Sequence, residues 1–225
     1  MMLGMTRKET ANTEPSGTPA EILDVVDRDG NPTGETVDRE KAHREGILHR
    51  TAHVWLVRKS RTKPGCFEVL LQKRSLDKDS FPGCYDVSSA GHIPAGVDWI
   101  PSALRELREE LGVVAHPQDL HFVGKRMVSS SEVFHGRKFV NRQVSAVYFC
   151  WCDRDEESFS IDPVELSSVR WMEMGELKKR LATPSFPNCI SPIEIDWLMG
   201  HPDIISESCP LMGGEMGLTR KRKTR

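Results

Sequence analysis

Residues Gly91–Val113 read GHIPAGVDWIPSALRELREELGV, a loop with two glycines followed by a segment rich in glutamate. Most residues in Trp99–Leu111 are good helix formers, which predicts a helix here. Glu106, Glu109 and Glu110 stand at positions i, i+3 and i+4, so the helix places three mutually repelling carboxylates on one face. Such a face is typical either of a solvated helix or of a site that binds a cation.

The surroundings of the three carboxylates favour a cation site. The same helix has an apolar stripe that faces the core, formed by Ala103, Leu104, Leu107 and Leu111. Gly112 suits the left-handed conformation that ends many helices, and the preceding loop, GHIPAG, has glycines whose backbone can approach a ligand closely. Mg²⁺ is usually held by a few carboxylates together with waters and substrate phosphates. The stretch therefore predicts a loop, a helix and a second loop around a divalent cation.

These residues resemble the sequence box of the Nudix hydrolases, G-x5-E-x7-R-E-U-x-E-E-x-G-U, in which U is aliphatic. Gly91 matches the first position. The later matches at the same spacing are Arg105, Glu106, Leu107, Glu109, Glu110, Gly112 and Val113. The resemblance implies an α+β fold, a Nudix-type α/β/α sandwich with a mixed sheet and a loop-helix-loop metal site.

The resemblance also implies an activity and a set of site residues. Glu106, Glu109 and Glu110 would hold Mg²⁺ or Mn²⁺, with the Gly91 carbonyl as a further ligand, and Arg105 would orient the glutamates. The three glutamates and Arg105 would be the catalytic residues of a diphosphatase or pyrophosphohydrolase acting on acid anhydrides. Water would attack phosphorus in a nucleoside diphosphate linked to another group, or in a related organic diphosphate.

One position departs from the box. Val97 occupies the place of its first glutamate, and Asp98 follows one residue late. In the family this glutamate chiefly braces the arginine, so we expect a weakened brace at Arg105 and a site that still works.

Three further segments resemble the isopentenyl diphosphate isomerase-like branch of the Nudix proteins: LHRTAHVWLV, LLQKRSLDKDSFPG and YDVSSAGHI. This branch includes hydrolases and isomerases. The isomerases use a cysteine where this chain has Ala90, and paired glutamates where it has Asn141 and Gln143, whose amides cannot serve as ionisable acids or bases. The hydrolase is therefore favoured. The alternatives are an isopentenyl diphosphate isomerase and a Nudix-fold nucleotide-binding module without catalysis, which only Val97 favours.

Other residues are candidates for substrate binding. Arg74 and Lys78 stand where this branch binds a diphosphate, and two cations beside a metal-held phosphate make physical sense. His49 and His92 stand where the isomerases bind a metal; His92 is expected either in the substrate site or in a structural hydrogen bond, and His49 in a structural role. Glu165 is a candidate for the general base from a later loop, or else a surface residue.

The chain organisation indicates one domain with tails. Residues 1–20 are polar and contain proline and glycine, which predicts a disordered N-terminal tail. Residues 21–200 are expected to form the Nudix hydrolase domain, with strands before and after the central helix. Residues 201–225, which end in the basic run TRKRKTR, are expected to form a C-terminal tail.

Composition limits the classes of partner. The net charge of −2 over 225 residues gives no general attraction to nucleic acid or to an anionic membrane. The six cysteines are scattered without CxxC pairs, and no apolar run approaches the length of a membrane span. We therefore expect a cytoplasmic protein whose partner is a small-molecule diphosphate, with no nucleic acid and no membrane. The oligomeric state stays open.

Overall fold

The structure, a computed structural model, describes residues 21–208. Its strands, in chain order, are β1 (Ile22–Val26), β2 (Pro32–Asp38), β3 (His49–Lys59), β4 (Phe67–Arg74), β5 (Tyr85–Asp86), β6 (Ser89–His92), β7 (His121–Phe134), β8 (Arg137–Trp151) and β9 (Leu166–Glu173). The α-helices are α1 (Arg39–Glu45), α2 (Trp99–Leu111), α3 (Met174–Leu181), α4 (Pro192–Met199) and α5 (Pro202–Ser208).

Seven strands form one mixed sheet, and β1 and β2 form a separate antiparallel pair. The order along the large sheet is β5-β4-β3-β8-β7, with β6 paired to β3 and β9 paired to β4. Strands β3 and β8 are parallel, whereas the other pairs are antiparallel. The central strand β3 therefore contacts both β6, which begins the glycine loop, and β8.

Helices cover both faces of this sheet. On β3, Ala52, Val54 and Leu56 pack on the α2 side, whereas Trp55 and Val57 pack on the side of α3, α4 and α5. This alternation follows from the period of two residues that every strand has. The predicted α+β fold, an α/β/α sandwich with a mixed sheet, is confirmed.

Helix α2 begins and ends as its sequence predicts. The Asp98 carboxylate accepts a hydrogen bond from the Trp99 N–H at 2.8 Å and so caps the first turn. Gly112 has a φ of 64°, and its N–H donates to the Arg108 carbonyl. The apolar stripe that includes Leu107 is buried against the sheet, which leaves the glutamate face toward the glycine loop.

The β1–β2 pair holds the loop that leads into α2. Arg50, which is 5% exposed, donates to the Asp24 carboxylate and to the Val97 carbonyl, each at 2.8 Å. The same Asp24 oxygen accepts from the Gly96 N–H at 2.9 Å. One guanidinium and one carboxylate thus join β1, β3 and the backbone at Gly96 and Val97, so these contacts hold the loop that leads into α2.

The predicted domain boundaries stay predictions. Residues 1–20 and 209–225, which contain most of the two predicted tails, lie outside the described residues. The start of the predicted C-terminal tail forms α5, whose Ile204 is 2% exposed and packs in the core beside α4. No described helix is long and apolar enough to cross a membrane.

Candidate functional site

A cavity of about 460 Å³ opens between α2, the central strands and the β7–β8 hairpin. Its walls come from α1, α2, β3, β6, β7, β8 and the loop after β4. It contains most of the residues that the sequence singles out: Arg74, Lys78, Gly91, His92, Glu106, Glu109, Glu110 and Glu165.

The three glutamates of α2 lie at different depths in this cavity. Glu110 is 5% exposed, and its carboxylate accepts a hydrogen bond from the Ala90 N–H of β6 at 3.2 Å. The side chain of Glu106 is 15% exposed, whereas that of Glu109 is 54% exposed. The cluster therefore extends from the buried Glu110 carboxylate, which lies against β6, to the exposed Glu109 carboxylate at the mouth of the cavity.

Burial changes the proton affinity of the two inner carboxylates. Burial raises the pKa of Glu106 to about 7, against the opposing effect of the Arg105 guanidinium. Burial, reinforced by the charge of Glu106, raises the pKa of Glu110 to about 8. Nearby positive charge would favour the ionised form of these carboxylates, but too little of it is present to offset their burial. Their oxygen donors and their mutual repulsion fit a divalent cation such as Mg²⁺ or Mn²⁺.

The glycine at position 91 is required by the packing of Glu106. A Cβ atom built at Gly91 would overlap the Glu106 carboxylate. Only a residue without a side chain lets this carboxylate approach the β6 backbone. The structure thus brings the Gly91 backbone and the inner glutamates together, as the box predicts.

Arg105 and the departure at Val97 are related. Arg105 forms an ion pair with its neighbour Glu106, lies 3.9 Å from Glu109, and donates to the His92 carbonyl at 3.2 Å. Its Nε is buried without a hydrogen-bond partner in the described part of the chain. Val97 packs with the apolar cluster under α2. An apolar side chain at position 97 cannot accept a hydrogen bond from an arginine, and the weakened brace at Arg105 stays a prediction.

The two predicted phosphate-binding cations line the cavity opposite α2. Arg74 donates from Nε and NH2 to the Ser80 carbonyl, at 3.0 and 2.9 Å, and from NH1 to Asp86 at 3.3 Å. Lys78 forms an ion pair with Glu165. Arg74 therefore also holds the loop after β4, and Lys78 already has an anionic partner that a phosphate would have to replace.

His92 belongs to a cluster that the sequence predicted only in part. His43, His49 and His92 have ring nitrogens within 4.8 Å of one another, and the Nε2 atoms of His43 and His92 are 2.9 Å apart. Burial lowers the pKa of all three histidines, that of His43 to about 4. Neutral imidazoles can bind a metal, and the buried Nε2 of His49 has no hydrogen-bond partner among residues 21–208. The sequence analysis missed His43, which α1 places over the cavity.

A second group that the sequence analysis missed lies on the cavity floor. Glu194 of α4 is fully buried and contacts three side chains: Trp55 Nε1 at 2.8 Å, His53 Nδ1 at 3.0 Å and Arg126 Nε at 2.6 Å. Burial alone would raise the pKa of Glu194, but the His53 imidazole and the Arg126 guanidinium hold it at about 2. No local pattern could reveal this group, because Glu194 is 141 residues from His53.

Comparison with known proteins identifies the family. The family model described as the NUDIX domain matches residues 47–189. The chain belongs to the Nudix family. A protein named Nudix hydrolase 3 from Arabidopsis thaliana is 38% identical over 165 residues, which are 72% of this chain but only 20% of that protein. An uncharacterised Nudix hydrolase of Clostridium acetobutylicum is 34% identical over 161 residues, covering 72% of this chain and 74% of that protein.

Other similarities support the branch and the fold. A protein named isopentenyl-diphosphate Delta-isomerase from Ruegeria pomeroyi is 28% identical over 174 residues, covering 75% of this chain and 86% of that protein. A crystal structure from Deinococcus radiodurans, 21% identical, has a TM-score of 0.56 and covers 80% of this chain and 99% of that chain. The predicted family and the prediction of an enzyme of the Nudix hydrolase type are confirmed. The site residues, the metal and the substrate stay predictions.

The three positions at which the sequence analysis separates this chain from the isomerases all lie at this cavity. Ala90, Asn141 and Gln143 line it, and the register places Gln143 beside His49. The Gln143 amide donates to Ser145 Oγ at 3.3 Å, whereas the Asn141 Oδ1 is buried without a partner in the described chain. These positions supply hydrogen-bonding groups but no ionisable acid or base.

We predict that Glu110→Gln changes how stability depends on pH. The folded-state pKa of Glu110 is about 8, above the ordinary 4.5, so the folded metal-free chain binds more protons than the unfolded chain between these values. This contribution is present at low pH and is lost as the pH rises through 8. Between about pH 7 and 9, the free energy of unfolding of the wild type should fall by about 1 kcal/mol, whereas that of Glu110→Gln should not show this fall.

Chemical denaturation of the metal-free proteins across this pH range measures the difference. Glu176→Gln, on α3 and paired with Arg180, is the matched control and should follow the wild type. Parallel curves for the wild type and Glu110→Gln would show that the carboxylate is not protonated in this range.

We also predict that Asp98 acts as a helix cap and does not replace the missing glutamate of the box. Asp98→Ala should lower the free energy of unfolding by about 1 kcal/mol, whereas Asp98→Asn should be nearly neutral because asparagine also caps. Metal affinity should stay unchanged in both variants. Weaker metal binding by Asp98→Asn at unchanged stability would instead assign the carboxylate to the site.

Proposed function

We propose that the chain is a metal-dependent hydrolase that cleaves a diphosphate linkage by attack of water on phosphorus. Its substrate class is a nucleoside diphosphate linked to another group, or a related organic diphosphate. The observation that carries the proposal is the pair of inner carboxylates, Glu106 and Glu110, which lie side by side in an open cavity next to the Gly91 backbone. Burial raises the pKa of both groups, which fits a place for a cation.

The proposed metal ligands are Glu106, Glu109, Glu110 and the Gly91 carbonyl, and the proposed ion is Mg²⁺ or Mn²⁺. A divalent cation held there supplies charge neutralisation for the diphosphate and a lowered pKa for a bound water. The protein's own contribution is to keep the oxygen donors close together, through the glycine at position 91 and the apolar packing of α2.

The remaining residues bind and orient the substrate. Arg74 and Lys78 face the cavity from the loop side and would bind the phosphate oxygens, Lys78 by exchanging its partner Glu165 for the substrate. His92 would contact the substrate from β6, and Arg105 would orient Glu106 through their ion pair. In the reaction, the water oxygen forms a bond to phosphorus. The bridging oxygen leaves with the electron pair of the broken bond, and the proton of the water goes to a base.

Two alternative functions, an isomerase and a binding module, can each be tested directly. An isomerase would exchange protons of isopentenyl diphosphate with solvent, for which Ala90, Asn141 and Gln143 supply no ionisable group. A binding module would bind diphosphates without turnover, which the weakened brace at Val97 favours. A panel of diphosphates with Mg²⁺ and Mn²⁺, assayed for phosphate release and for proton exchange, separates the three activities. A cytoplasmic location and a small-molecule diphosphate as the partner stay predictions.

We predict that turnover requires a divalent cation and depends on Glu110. Excess EDTA should abolish activity, and added Mg²⁺ or Mn²⁺ should restore it. Glu110→Gln keeps the shape of the side chain but removes its charge, so kcat should fall on the order of 10²-fold or more and metal affinity should fall with it. Glu176→Gln is again the control. Full turnover in EDTA, or in Glu110→Gln, contradicts the metal assignment.

We predict that Lys78→Ala weakens substrate binding. KM should rise, or kcat/KM fall, with little change in Tm, because the partner carboxylate of Glu165 is 36% exposed and water can solvate it once the Lys78 ammonium is removed. Arg74→Ala should show the same kinetic loss and also a lower Tm, since Arg74 holds the Ser80 carbonyl. Lys178→Ala, which removes a Lys178–Asp196 pair outside the cavity, is the control. Kinetics unaltered in both cavity variants would exclude them from phosphate binding.

A further inference from the structure

His53 occupies a position beside the proposed metal site. It lies on β3 directly opposite Ala90 of β6, the residue whose N–H donates to Glu110 at 3.2 Å. Directly opposed residues of antiparallel strands have Cα atoms about 5 Å apart. His53 and Glu110 also line the same cavity. The imidazole thus lies one strand away from the carboxylate cluster.

The orientation of His53 is set by Glu194. The Nδ1 atom lies 3.0 Å from a Glu194 oxygen, and that carboxylate is fully buried in the first turn of α4. An ionised carboxylate can only accept a hydrogen bond, so Nδ1 of His53 carries the hydrogen and donates it. In the neutral imidazole, Nε2 then has the lone pair. Nε2 has no hydrogen-bond partner among the described residues.

Glu194 has two further donors besides His53, and other titratable groups lie near this histidine. Arg126 of β7 donates to the same Glu194 oxygen that His53 contacts and balances the carboxylate charge. Trp55 binds the other oxygen. On the β6 side, two titratable groups line the cavity. One is His92, and the other is Glu110, which accepts a hydrogen bond from the Ala90 N–H. The Glu194 carboxylate therefore has hydrogen-bond donors on three sides, and His53 is one of them.

Other candidates for a base in the described cavity are less suitable. Glu165 is 36% exposed and loses the ion pair with Lys78 once Lys78 binds the substrate, which leaves its carboxylate without a fixed orientation. Asn141 and Gln143 cannot ionise near neutral pH. His43 and His92 bind each other through their Nε2 atoms. The outer carboxylate, Glu109, belongs to the proposed metal ligands. His53 combines an unpaired nitrogen, a fixed orientation and a place in the cavity.

We propose that His53 is the general base of the hydrolysis, oriented by Glu194, an inference that rests on the proposed function. Nε2 takes a proton from the attacking water as the water oxygen bonds to phosphorus. The bond from phosphorus to the bridging oxygen breaks, and that oxygen leaves with the electron pair. The imidazolium then gives its proton to the leaving oxygen or to solvent, which restores the starting state. A base held by a third group in this way is the usual arrangement of an activating histidine.

The first measurement is independent of turnover. Nitrogen-15 NMR of the metal-free chain at about pH 8 should show His53 with a protonated Nδ1 and an unprotonated Nε2. Protonated Nε2 at this pH would overturn the proposal, because that nitrogen could not accept a proton. Glu194→Gln should disturb the His53 resonances, whereas Asp203→Asn, which alters the separate His121–Asp203 pair, should not.

The second measurement is the pH profile of kcat at saturating metal. His53→Asn can still donate a hydrogen bond to Glu194 but cannot act as a base near neutral pH, so it separates the structural role from the catalytic one. We expect Tm to be nearly retained, kcat to fall by about 10²- to 10⁴-fold, and the loss of activity at acidic pH to disappear. Glu194→Gln should move that acidic limb to lower pH, because removing the anion disfavours the imidazolium.

The matched control is His121→Asn. His121 forms the same kind of pair, with Nδ1 2.8 Å from Asp203, but lies outside the main cavity, so its kinetics should follow the wild type. If His53→Asn folds poorly, His53→Ala with added imidazole should recover activity in proportion to the free base. If kcat falls equally at every pH and activity is still lost at acidic pH, or if imidazole restores no activity, His53 is not the base. Either result leaves the proposed hydrolase function standing. Absence of wild-type turnover on every diphosphate overturns the proposed function itself.

Discussion

The burial of two α2 carboxylates against the backbone of β6 is the constraint on which the site depends. The apolar face of α2 packs into the core, so Glu106 and Glu110 are forced toward the glycine loop. Position 91 must then lack a side chain, and both carboxylates have raised pKa values. The loop, the helix and the oxygen donors are therefore one packing arrangement, and a cation would complete its charge balance.

The cavity disfavours unpaired charge of either sign. Burial raises the pKa of Glu106 and Glu110, and the same effect lowers the pKa of His43 and His92. Burial therefore favours the neutral form of these four groups until ligands of opposite charge enter. A diphosphate together with a divalent cation would bring both signs of charge, which explains how basic and acidic groups can share one small cavity.

One face of the central sheet changes from core to site along β3. Trp55 and Val57 pack in the apolar cluster, whereas Thr51 and His53, on the same face, line the cavity. Glu194 lies at this boundary, and its contacts with Trp55 and His53 span it. A buried carboxylate is tolerated there because every oxygen has a donor and Arg126 balances its charge. The rigid core thus extends directly to the floor of the site.

The sequence by itself determined what depends on neighbours along the chain. The periodicity of α2, its glycine end and the face shared by three glutamates are all local patterns, and the structure contains each of them. The tertiary structure supplied the rest: it added His43 to the histidine cluster and joined His53 to a glutamate 141 residues away. Contacts of that kind arise when strands pair and helices pack, and no spacing along one segment encodes them.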